Sequence, residues 1–143
     1  MLLKRSRLNR IIKKSVAETI EVFENRRPVI VEHFYYGAFD IAPQHLVIWY
    51  LYRTNDELDV AKKSGLCDEI VSKTKELLKK HKYPIDALAD TSFPIVKVKF
   101  ANGTAEEQAE ILHMLSHGKV SVSFTTQQDI KEKTNGDYHL YFQ

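Results

Sequence analysis

The chain has 143 residues, 43% of them hydrophobic and 28% charged, which is the make-up of an ordinary folded chain rather than a disordered or fibrous one. At that length one domain, 1–143, buries roughly two-thirds of the surface its unfolded chain exposes, so neither a metal nor a disulfide is needed to hold it together. The net charge of +2 is unevenly placed: Lys4, Arg5, Arg7, Arg10, Lys13 and Lys14 put +6 in the first fourteen residues, leaving 15 basic against 19 acidic residues in the remainder. One cysteine, Cys67, excludes an internal disulfide and suits a reducing compartment. The longest apolar run, Leu46 to Tyr52, falls far short of the roughly 20 residues of a membrane span. Met1-Leu2-Leu3 runs into charge rather than an apolar core, so no secretory leader is expected and the cytoplasm is the default.

Residues 1–7 read as a basic tail that need not be ordered. From Leu8 to Phe23, apolar residues at Leu8, Ile11, Ile12, Val16, Ile20 and Phe23 recur in steps of three and four, which predicts a helix ending before Pro28. Val29 to Tyr36 and His45 to Tyr52 are two strand-length runs joined by a loop from Gly37 to Gln44. The second is apolar at both odd and even positions, as an interior strand covered on both faces would be.

Thr54-Asn55-Asp56-Glu57 has the form of a capping box and opens a second helix, through Leu58, Ala61, Leu66, Ile70, Leu77 and Leu78, that Ser64-Gly65 can kink or divide. Ile95 to Phe100 alternates cleanly with Lys97 and Lys99 outward, the pattern of a guarded edge strand. A second capping box, Thr104 to Glu107, opens a helix to about Ser116, and Val120, Val122 and Phe124 alternate as the next strand. The last strand–helix–strand unit should be a right-handed crossover. Thr126 to Thr134 suggests a short helix or turn, and Tyr138, Leu140 and Phe142 alternate as a final strand after the Asn135-Gly136 turn. The expected fold is therefore α+β, in the order αββαβαβ(α)β: a mostly antiparallel five-stranded sheet with helices packed mainly on one face.

Candidate chemistry is sparse. Glu32, His33, Asp40 and His45 cluster along the hairpin, and those residue types could supply a general acid and base, as in a small metal-dependent hydrolase, provided the strand register brings them to one face. Solvated polar groups at strand ends would look the same. Glu106, Glu110, His113 and His117 recur at helical spacing, and His113 and His117 stand four apart as metal ligands can, yet the glutamate of the H-E-x-x-H motif is missing. A solvated helix face is the simpler account of them.

The basic segment Lys4 to Lys14 could follow a nucleic-acid phosphate backbone, although the rest of the chain is net acidic and no RNA-binding aromatic motif is present. Cys67, beside Asp68 and Glu69, reads as an unreactive thiol. No nucleophile elbow and no glycine-rich phosphate loop occurs, so no cofactor is expected.

What remains is surface. Tyr35, Tyr36, Phe39, Tyr50 and Tyr52 form an aromatic hairpin of the kind favoured at interfaces, though strands also favour tyrosine for packing alone. Small size, uneven charge and the absence of a catalytic signature are similar to those of compact bacterial accessory or immunity-type proteins. The expectation is a non-catalytic binding protein whose partner is another protein or a second copy of itself, with nucleic acid a less favoured partner and no membrane association.

Overall fold

Why the second hairpin strand forms the centre follows from its composition: VIWYLY has no residue that prefers water on either side of a pleat. The computed structural model describes residues 2–84 and 119–142. Helix α1 spans Leu2–Val22, and strand β1, Glu32–Tyr36, leads through a short 3₁₀ turn at Pro43–His45 to β2, Val47–Tyr52. Helices α2, Asn55–Lys63, and α3, Leu66–Lys80, follow. After residue 118 come β3, Ser121–Thr126, helix α4, Gln127–Thr134, and the single-turn helix α5, Tyr138–Tyr141.

The sheet is three-stranded and mixed among the described residues, in the order β1-β2-β3, which overturns the expected five-stranded, mostly antiparallel sheet. β1 and β2 form the antiparallel hairpin with Phe34 opposite Trp49, whereas β2 and β3 run parallel with Trp49 opposite Ser123. Parallel neighbours require a long return, and here α2, α3 and residues 81–120 lie between the two strands. The segment read as a final strand is α5. Asp137 accepts a hydrogen bond from the backbone N–H of Leu140 at 3.1 Å and winds the turn, bringing Tyr138 and Phe142 to the same side four residues apart. The expected strand at 95–100, the helix after Thr104 and the crossover they would form lie outside the described residues.

Helices are not confined to one face either. Because the β1–β2 pairing places Tyr35 opposite Ile48 and His33 opposite Tyr50, the even positions of β2 face α1 and α3. There Leu8, Ile12 and Val16 of α1 and Ile70 and Leu78 of α3 close over Ile48, Tyr50 and Tyr52, all essentially without exposure. The odd positions face the C-terminal segment, where Phe142 packs edge-on to Phe34 at 4.6 Å and to Trp49 at 5.0 Å between ring centres. α1 and α3 lie antiparallel, tied at one end by Arg26 to Glu69, 2.9 Å, and at the other by His81 to Glu18, 2.8 Å. No helix among the described residues is long and apolar enough to cross a membrane.

Candidate functional site

Consecutive residues on a strand point to opposite faces, so Glu32 and His33 are separated by the sheet itself. Glu32 turns to the C-terminal side, where it accepts a hydrogen bond from the Gln127 amide at 3.1 Å. Tyr138 has its phenol pushed up to about 12, chiefly by burial and further by the Glu32 carboxylate. His33 lies exposed on the other side, beside Lys13 and Tyr35 at a hollow of about 340 Å³. Asp40 is engaged by Arg5 at 2.9 Å, and His45 is exposed in the 3₁₀ turn. The four residues do not converge. Glu106, Glu110, His113 and His117 lie outside the described residues, and among those described no group of three or more His, Cys, Asp or Glu is placed to hold a metal.

Burial divides the aromatic hairpin. Phe39, Tyr50 and Tyr52 are core residues. Tyr35 is partly buried and donates its hydroxyl to Asn9 of α1, while Tyr36 stays 41% exposed and accepts from the Trp49 indole at 3.2 Å. Cys67 is buried, and desolvation, with Asp68 adding to it and Lys62 opposing it, pushes its thiol up to about 11, far from a thiolate at neutral pH.

Two polar arrangements remain at the carboxyl ends of the parallel strands, where α2 and α4 begin. Thr54 and Thr126 cap the two helices by accepting from the N–H groups of Glu57 and Asp129, at 3.2 and 2.9 Å. Asn55 and Gln128 bind the caps together: the Asn55 backbone N–H donates to the Gln128 side-chain Oε1 at 2.8 Å, and the Asn55 side-chain Oδ1 accepts from the Thr126 hydroxyl. Beside them Tyr141 donates to Asp129, which also faces Lys133 at 3.2 Å. The Tyr141 hydrogen bond and Lys133 hold the Asp129 carboxyl below its usual range, whereas burial holds the Tyr141 phenol above its own. A carboxylate kept ionised and a phenol kept neutral have no proton to exchange near neutral pH, so the cluster is suited to locking the helix ends rather than to acid–base chemistry.

One roomy concavity was not anticipated. A hollow of about 650 Å³, against 530, 350 and 340 Å³ for others on the described surface, opens where the chain enters β1 beside the start of α2. Its floor is apolar, from Pro28, Val29, Val31 and Val60, and its rim carries Arg27 and Arg53 together with Asp56 and Glu57. The floor is rigid on one side, because Val31 N–H donates to the Leu51 carbonyl at 2.8 Å and extends the β1–β2 pairing. Val60 is 55% exposed, and Arg53 forms no ion pair among the described residues. The lining comes from segments 27–31, 53–57 and 60, which sequence distance hides. Its one legible signal is Val60, an apolar residue off the Leu58–Ala61 stripe of α2.

Comparison with family models, with curated proteins and with solved structures gives no significant match.

Proposed function

We propose that this is a non-catalytic binding protein that acts through contacts with another protein, and that the hollow between Pro28 and Val60 takes an apolar side chain of the partner. The observation that carries this is the composition of the hollow, four apolar residues under a rim with charges of both signs. An apolar centre with a polar margin is the usual anatomy of a protein interface. The half-exposed Val60 gains if it is covered, and Arg53, with no ion-pair partner among the described residues, has a charge to offer an acidic group beside the inserted side chain. Separation of Glu32 from His33 by the sheet supports the non-catalytic part.

The test is a photo-crosslinker placed at residue 60 of the full chain, exposed to lysate of the native host and read alongside light scattering. A discrete adduct should form, whether with another protein or with a second copy. It should be competed by unlabelled wild type and abolished by Val29→Asp, a change at the opposite side of the floor. A monomer that gives no competable adduct would remove the proposal.

A further inference from the structure

The helical layer has a second surface property, independent of the hollow. On α1 the buried stripe is Leu8, Ile12, Ser15, Val16 and Thr19, and the opposite side presents Arg7, Arg10 and Lys14 at spacings of three and four, all exposed, with Lys13 exposed on the flank. Because α3 runs antiparallel and its C-cap His81 meets Glu18, the exposed Lys79, Lys80 and Lys82 come to the part of α1 that follows Lys14. His81, next to Lys80, meets Glu18, one turn after Lys14, at 2.8 Å, which brings Lys80 to the Lys14 end of the row. Glu18 itself is engaged by His81, and Arg5 by Asp40. Glu24, Asp68 and Glu69 lie toward the other end of α3, where Arg26 pairs with Glu69.

This arrangement is not what helix stability would select. The first turn of α1 has no acidic residue, and Lys4 and Arg5 sit at the positive end of its dipole, where a cation is unfavourable. In α3 the charges follow the dipole, acids first and lysines last. A local rule broken in one element and kept in its neighbour points to a demand outside the fold.

We infer that the Arg7–Arg10–Lys14 face of α1, with Lys80 of α3, binds the phosphate backbone of duplex nucleic acid without reading sequence. Two exposed arginines in the row favour phosphate, whose oxygens they can chelate. A lipid surface would call for apolar side chains to insert, and from Leu8 to Val16 those of α1 are taken up by the core. A single strand would call for stacking aromatics, and Tyr35, the tyrosine flanking this face, is tied to Asn9.

The experiment is fluorescence anisotropy of the full chain with a labelled DNA duplex of roughly 20 base pairs from about 50 to 200 mM salt. Affinity should fall steeply with salt, by about one log unit per log unit of salt for each phosphate neutralised. The combined Arg7→Glu, Arg10→Glu and Lys14→Glu variant should lose tenfold or more in affinity and flatten that slope by about three, and Lys80→Glu should lose a smaller part. Lys131→Glu, on exposed α4, should bind as wild type does. Circular dichroism checks that the variants fold, and the milder Gln substitutions replace Glu if the triple variant does not. Absence of binding at the lowest salt, equal loss in the Lys131 variant, preference for a single strand, or binding to phosphatidylserine vesicles in place of the duplex would each overturn the assignment.

Discussion

Two tyrosines two residues apart on β2 face the same helices and fare differently. Tyr50 shares a 2.9 Å hydrogen bond with Thr74, whose hydroxyl also donates to the Ile70 carbonyl at 2.7 Å, whereas the Tyr52 hydroxyl is fully buried with no hydrogen-bond partner among the described residues. A buried polar group without a partner has lost its water for nothing in return. Removing the two hydroxyls should therefore have opposite consequences. Tyr50→Phe should destabilise by about 1 kcal/mol, and Tyr52→Phe should leave stability unchanged or raise it by up to about 1 kcal/mol. Urea midpoints at constant m-value would decide, and equal losses in both would mean that Tyr52 is satisfied after all.

At the scale of elements, the hairpin loop depends on one residue and the C-terminal turn on another. Gly37 has φ +120°, and a Cβ there would collide with the backbone carbonyl of His45. Gly37→Ala should cost about 2–3 kcal/mol, because both the conformation and the contact are backbone features that cannot rotate away. Asp137→Ala should cost about 1 kcal/mol through loss of the α5 cap and should quench less of the contact between Phe142 and Trp49, visible as a shift in tryptophan emission. These two sites also mark what the sequence could tell. β2 was legible because apolar residues on both faces leave a strand no place but the middle, and the break between α2 and α3 because Ser64-Gly65 interrupts the periodic stripe, Gly65 adopting φ +83°. The tail expected at residues 1–7 is helical from Leu2, since a stripe that starts at Leu8 says nothing of the turn before it. Five residues alternating at the C-terminus fit a strand and a helical turn equally, and only the Asp137 cap separates them. The parallel pairing of β3 and the lining of the hollow depend on contacts between distant segments, which no local pattern encodes. His33 and Glu32 looked like a pair in one dimension and became opposite-facing in three.

For the whole molecule, buried phenols and surface carboxylates set a pH window. Burial raises Tyr50 to about 12 and raises Tyr52 and Tyr83 as well, from an ordinary value of 10.0. A raised folded value means that the unfolded chain ionises first: the contribution is complete below about pH 10 and is lost as pH climbs from there through the folded values. Three such groups steepen the decline to about 4 kcal/mol per pH unit, a large share of the stability of a domain of this size by pH 11. On the acid side Glu18, Glu69 and Asp129 are lowered, by hydrogen bonds from His81, Arg26 and Tyr141 respectively, so their contribution is present above the ordinary carboxyl range and fades as pH falls through their folded values. These carboxylates are near the surface and solvent weakens their pairs, so the acid limb should be shallow and the alkaline limb steep. Urea midpoints between pH 3 and 11, with phenolate absorbance followed in parallel, would show the asymmetry, and an alkaline limb no steeper than the acid one would remove its cause.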